Sequence, residues 1–272
     1  MPTLGLIAGT GDLPRAVAEG ARKMGYRVFA VGLAPLVDES LALYVDEFTL
    51  ISVGRLGDII KALKKASVTE AVMSGKVPKS LIYKSKIVPD MKVVSLLMKL
   101  KNRSDDSILL AITAEFEKEG IKMRNITDFT EDLLAPLGVL TKGKLSEDEQ
   151  KDIDFGYPIA RRIGGLDIGQ TVVVRSLAVM AVEAIEGTDA AIRRGGELAG
   201  GGAVVIKVSK PAQDKRFDFP VVGADTVRSM AAVKARVLAI EAGRTLIVSR
   251  VETVTEAERA GITIVGVKPI DD

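Results

Sequence analysis

Apolar residues along this chain gather into short runs separated by polar stretches of helical spacing, most regularly in the first half. Leu4–Ala8 is a continuous apolar run of strand length, Pro14–Met24 repeats its apolar positions as a helix does, and Arg27–Val31 is again strand-like. Tyr44–Ile51 predicts a further strand and Leu56–Ser67 a helix. Ala71–Met73 predicts a short buried strand that leads into Gly75-Lys76-Val77-Pro78. Strand and helix in alternation predict a small, mainly parallel sheet with helices packed on it. Helical spacing continues over Lys92–Lys101 and Asp106–Glu119, the latter opened by acids and ended by Gly120.

The second half changes character. Gly138–Lys144 is the expected link, which gives domains of residues 1–137 and 138–272. Ser146-Glu147-Asp148-Glu149 is a capping-box pattern for a helix running towards Arg162. Valine-rich Gln170–Glu183 predicts one long strand or two adjoining ones, Gly187–Arg194 the start of a helix, and Ala203–Val208 a buried strand after a glycine-rich approach. Thr226–Ile240 fits a helix. Thr245–Val248, a capping-box helix from Thr255 through Ala260, and Ile262–Val267 complete a second α/β unit.

Composition narrows the chemistry. With 47% apolar residues the 272-residue chain can build substantial cores, and 38 basic against 36 acidic residues give no pull towards nucleic acid. Only 4% of residues are aromatic, which argues further against a base-stacking surface. The chain has no cysteine and no histidine, which removes disulfides, thiolate nucleophiles, Ser-His-Asp machinery and imidazole zinc sites. The expected compartment is cytosolic, without a signal peptide or a membrane-spanning run. If the protein is a hydrolase, carboxylates must carry the metal or the proton transfer.

Residues 207–226, KVSKPAQDKRFDFPVVGADT, concentrate the candidate chemistry. Lys210, Gln213, Lys215 and Arg216 can meet phosphoryl oxygens, while Asp214 and Asp218 offer the hard oxygens that magnesium prefers. In a fully extended strand the two aspartate Cα atoms would lie about 13 Å apart, so joint ligation requires a curved loop. The alternative is a solvated charged turn. Glu183, Glu186 and Asp189 crowd round Gly187 after a strand, as metal ligands or as a cap and two solvated acids; Thr188 is the other capping candidate. Asp225 and Thr226 stand at a helix start, and Glu241 beside Gly243 reads as structural or exposed. Gly9-Thr10-Gly11-Asp12-Leu13-Pro14 follows a strand and opens a helix, where backbone N–H groups can meet an anion or merely close a tight turn. Pro14 replaces the third glycine of a dinucleotide fingerprint, and no ribose-binding acid ends the second strand, so a nicotinamide dehydrogenase is excluded. Lys76 is a further phosphate candidate or a solvated loop lysine.

Taken together, LGLIAGTGDLPRAVAEGA, SGKVP, DIGQTVVV, EAIEGTDA and KPAQDKRFDFPVVGADT resemble the LpxI-type UDP-2,3-diacylglucosamine pyrophosphatases of lipid A biosynthesis, over nearly the whole chain. The resemblance implies an N-terminal Rossmann-like parallel sheet domain and a distinct C-terminal α/β domain that carries the catalytic carboxylates. It implies hydrolysis of UDP-2,3-diacylglucosamine to UMP and 2,3-diacylglucosamine 1-phosphate (lipid X) with Mg2+ or Mn2+. Within it, the expected catalytic residues are Asp214, Asp218, Lys210 and Arg216, the two aspartates not being separable. The expected metal ligands are Asp214, Asp218, Glu183 and Glu186, and the expected substrate contacts Gly9, Thr10, Gly11, Asp12, Lys76, Gln213, Thr188 and Thr226. An acylated substrate suggests peripheral contact with the cytoplasmic face of the inner membrane, for which Ile82–Leu100 with Lys84, Lys86, Lys92, Lys99 and Lys101 is the candidate. A homodimer is also expected. The non-catalytic alternative is a nucleotide-sugar or glycolipid sensor that binds without turnover.

Overall fold

The computed structural model describes residues 1–77, 88–100, 105–210, 216 and 219–270. They divide into two compact units, one of Met1–Glu131 together with Arg216 and one of the described residues from Asp132 to Lys210 and from Phe219 to Ile270.

The first unit runs β1 (Thr3–Ala8), α1 (Leu13–Lys23), β2 (Arg27–Ala34), β3 (Glu47–Ser52), α2 (Leu56–Lys65), β4 (Glu70–Ser74), α3 (Met91–Lys99), α4 (Asp105–Lys118) and β5 (Lys122–Met123). Its sheet is wholly parallel in the order β3-β2-β1-β4-β5. This is the Rossmann-like sheet expected from the sequence. Strand order reverses between β1 and β4, so the loops at their carboxyl ends stand side by side where open α/β sheets bind ligands. Leu13, Val17, Ala18 and Ala21 form the buried stripe of α1, with Pro14 in its first turn, where no N–H is missed. Leu56, Ile59, Ile60 and Leu63 of α2 pack with Val31 and Phe116 in one core. The strand expected at Tyr44–Ile51 begins later, because Glu39–Tyr44 forms a 3-10 turn capped by Asp38.

The second unit holds β6 (Gly138–Val139), α5 (Glu147–Gly165), β7 (Thr171–Arg175), β8 (Ala178–Val182), α6 (Thr188–Ala199), β9 (Val204–Lys207), β10 (Val221–Val222), α7 (Ala224–Ala232), β11 (Val237–Glu241), β12 (Leu246–Ile247), α8 (Arg250–Arg259) and β13 (Thr263–Val267). A six-stranded sheet has the order β6-β13-β11-β9-β7-β8, and β10 pairs with β12 separately. Strands β9, β11 and β13 are parallel, while β6, β7 and β8 join antiparallel to their neighbours. Period-two alternation assigns the two faces. Val172, Val174, Val204 and Ile206 meet Ile153 and Tyr157 of α5 on one face. Val173, Val205, Leu238 and Ile240 meet Ile192, Met230 and Ala257 on the other.

Three expectations are corrected. The helix read over Thr226–Ile240 is α7 followed by β11: Lys234 turns the chain at a φ of 54°, and a strand buried on both faces shows no alternation to separate it from a helix. Gly138–Lys144 is not a link, since β6 pairs with β13 and Leu140 packs on the core. The helix expected from Thr255 starts at Arg250, and the Thr255 hydroxyl bonds the Val251 carbonyl within it. The Ser146 capping box forms as expected, with Ser146 and Glu149 exchanging bonds.

Candidate functional site

The carboxyl ends of β8, β9 and β11 lie on one edge of the six-stranded sheet, and charged side chains collect there. β9 is central, flanked by β11 and β7, so Lys207 at its end is only 2% exposed. Its Nζ donates to Thr188 Oγ1 at 3.1 Å and to the Val221 carbonyl at 3.1 Å. Thr188 in turn donates to Glu183 Oε1 at 2.8 Å, and Glu183 Oε2 accepts the Gln170 N–H at 3.3 Å. A chain of bonds thus runs from lysine through hydroxyl to carboxylate, with Lys207, Thr188 and Glu183 all buried. Thr188 does not cap α6; Gly187 occupies that position, without a side-chain cap.

Beside it lies a second buried group. Glu241, read from the sequence as structural or exposed near a helix end, is fully buried at the end of β11. It accepts the Tyr157 hydroxyl of α5 and the Ser209 N–H, the latter at 2.6 Å, with Arg161 Nη1 3.8 Å away. Arg161 also donates to the Ser209 carbonyl at 3.0 Å, so both backbone polar groups of Ser209 are held by side chains. Burial, and then the hydrogen bond donated to Glu241, push the Tyr157 hydroxyl up to about 12. Lys210, next in the chain, pairs with Asp167 at 2.5 Å. The chain therefore leaves β9 firmly anchored at Lys207, Ser209 and Lys210, the last of these itself among the residues read as catalytic.

The catalytic candidates Asp214 and Asp218 and the substrate-contact candidate Gln213 lie outside the described residues. Arg216 donates to Glu117 at 3.3 Å. Glu186 sits in an ion pair with Arg194 at 2.6 Å, which holds its carboxyl below the ordinary range, and its other oxygen accepts the Ala184 N–H at 3.2 Å. All four carboxylate oxygens of Glu183 and Glu186 are thus engaged, and among the described residues no three acidic side chains group closely enough to hold a metal ion. Thr226 is buried in the first turn of α7, whose cap position is Gly223, and Asp225 pairs with Arg228 at 2.7 Å.

In the first unit the β1–α1 loop meets the end of β4. Gly9 donates to Ser74, and Thr10 and Lys76 exchange backbone bonds at 3.0 and 2.9 Å. A Cβ on Gly9 would stand 2.6 Å from the Lys76 carbonyl oxygen, so this glycine permits a close backbone crossing. The Gly9 and Thr10 amides are spent on that crossing, and anion binding would fall to amides from Gly11 onward, where the space is open. Asp12 is exposed at the start of α1 without capping it, and the Lys76 side chain is exposed.

Of the stretch read as membrane-facing, Lys84, Lys86 and Lys101 lie outside the described residues. Lys92 is already paired with Glu119 at 2.8 Å. Met91 and Met98, seven residues apart and on one face of α3, are 81% and 82% exposed. No helix among the described residues is long and apolar enough to cross a membrane.

Comparison with known proteins covers both units. Residues 3–133 match the model of the LpxI N-terminal domain and residues 136–265 that of the LpxI C-terminal domain. A curated relative, the UDP-2,3-diacylglucosamine pyrophosphatase LpxI of Caulobacter vibrioides, is 36% identical over 99% of both chains. Among solved structures, Bordetella bronchiseptica WbmG in complex with NAD and UDP is 16% identical over 43% of this chain and 34% of its own, with a TM-score of 0.29. Phosphoribosylglycinamide synthetase from Anaerococcus prevotii is 12% identical over 64% and 32%, with a TM-score of 0.26. The chain spans about a third of the length of these two structures, and TM-scores this low do not establish a shared whole-chain fold.

Proposed function

We propose, from the premise that this chain belongs to the LpxI family, that it hydrolyses the pyrophosphate bond of UDP-2,3-diacylglucosamine in lipid A biosynthesis. Water adds to one phosphorus, the bridging P–O bond breaks, and UMP and 2,3-diacylglucosamine 1-phosphate leave. The observation that carries the reading is the full-length similarity to a relative named for that activity.

Phosphoryl transfer asks mainly for alignment and charge neutralisation, which suits a protein with neither histidine nor cysteine. Lys210 and Arg216 are the proposed partners of phosphoryl oxygens, each oriented by an acid, Asp167 and Glu117 respectively. Asp214 and Asp218 are the proposed catalytic carboxylates and the proposed holders of a divalent ion. Magnesium or manganese, when bound, would neutralise charge on the diphosphate. Glu183 and Glu186 are further proposed ligands of that ion, and their hydrogen bonds to Thr188, Gln170, Arg194 and Ala184 orient their carboxylates. The loop from Gly9 to Asp12 and Lys76 remain proposed substrate contacts, through the amides beyond Thr10. The exposed Met91–Met98 face of α3 supports peripheral contact with the inner membrane, where the acylated substrate resides.

The test is phosphorus NMR of UDP-2,3-diacylglucosamine incubated with the protein, with and without a chelator. UMP and the sugar 1-phosphate should appear only when a divalent ion is present. Binding without consumption would replace the enzyme by a sensor, and equal turnover of UDP-N-acetylglucosamine would remove the lipid from the specificity.

A further inference from the structure

We infer that Lys207 is a positioning residue for this reaction, its ammonium group tying the end of β9 to the start of β10 and to the Thr188–Glu183 pair. The inference rests on the proposed hydrolysis, because it concerns the two ends of the chain segment that carries Asp214 and Asp218.

Lysine is almost never buried without a specific demand on its charge. Lys207 closes a strand whose other residues, Val204 to Ile206, are all apolar and fully buried. An apolar side chain of similar length would fill the same space, so packing alone does not call for an ammonium group. What the charge adds is connection. Val221 belongs to the separate β10–β12 pair, and the 3.1 Å bond from Lys207 joins that pair to the main sheet. Through Thr188 the same group holds Glu183, whose second oxygen fixes the Gln170 amide at the start of β7. One side chain thus sets where the chain leaves the sheet, where it returns, and how α6 begins beside it. In a reaction governed by alignment, misplacement by about 1 Å costs on the order of 100-fold in rate.

The experiment uses the full chain with Lys207→Met, which keeps length and removes charge, and with Thr188→Val, singly and combined. Steady-state UMP release is measured below each variant's unfolding temperature. Amide hydrogen exchange is read at Leu246 and Val248, which donate to the Pro220 and Val222 carbonyls. Lys207→Met should lower kcat about 100-fold while KM moves less than about threefold, and exchange at Leu246 and Val248 should quicken. The double variant should be little slower than Lys207→Met alone, since both changes break one chain of bonds. Folded Lys207→Met with wild-type kcat overturns the inference, whether or not exchange changes. Wild-type protein that releases no UMP defeats the proposed hydrolysis instead, a result separate from an active but unaffected variant.

Discussion

Replacing Tyr157 with phenylalanine removes a hydrogen-bond donor from Glu241, the most buried acid in the second unit. The hydroxyl donates to Glu241, whose residue is fully buried, and accepts the Ile270 N–H at 3.2 Å. A hydrogen bond to a charged group is worth about 1.5–3 kcal/mol, and here the carboxylate left short of a donor has no route to bulk water. Phenylalanine keeps the ring that packs in the α5 face of the core, so cavity terms are small. The expected destabilisation is therefore about 2–3 kcal/mol, or roughly 5–10 °C in the melting of the second unit. Calorimetry at neutral pH measures it. The alkaline limb adds a second signature. Because the folded-state hydroxyl is pushed up to about 12 from an ordinary 10, its contribution is complete below pH 10 and is lost as pH rises through 12. Wild type should lose stability across that window more steeply than Tyr157→Phe. A variant that melts within about 0.5 kcal/mol of wild type at pH 7, with an identical alkaline limb, would refute the buried Tyr157–Glu241 bond.

Other perturbations test other parts of the account. Gly9→Ala places a methyl 2.6 Å from the Lys76 carbonyl oxygen and should destabilise the first unit by about 1–3 kcal/mol in denaturant unfolding; wild-type stability with weakened substrate binding would instead make Gly9 a ligand contact alone. Glu119 bridges Lys92 and Lys64, whose charged hydrogen bonds hold its carboxyl down to about 2. That contribution is complete above the ordinary value of 4.5 and is lost as pH falls towards 2, so Glu119→Gln should flatten the acid limb of thermal unfolding, and an unchanged limb contradicts the bridge.

Much of the fold is written in local pattern. Leu4–Ala8 and Ile262–Val267 are apolar runs bounded by polar or turn residues, and both become buried parallel strands. Ser146 and Glu149 form a box that sequence spacing alone specifies. Val237–Ile240 merges with the preceding helical pattern because a strand buried on both faces has no polar side to mark its period. The site is less legible for a related reason. Glu241 reads as structural or exposed in one dimension, and only the place of β11 inside the sheet buries it; Lys207 falls in a run that reads as a buried strand, but no local pattern says which groups its ammonium meets. Tyr157 and Arg161 reach Glu241 from a helix remote in sequence, a coincidence that no spacing rule encodes. The acid cluster at Glu183–Asp189 was conspicuous in sequence, yet its two glutamates are occupied by Thr188, Gln170, Arg194 and Ala184.

The central claim is that carboxylates of the segment between β9 and β10 drive cleavage of a sugar-nucleotide diphosphate. Asp214→Ala and Asp218→Ala, each with wild-type melting behaviour, should be compared with wild type in single-turnover release of UMP from UDP-2,3-diacylglucosamine. The account expects at least one of them to lose on the order of 1,000-fold or more in rate while still binding substrate. Wild-type rates in both would contradict it.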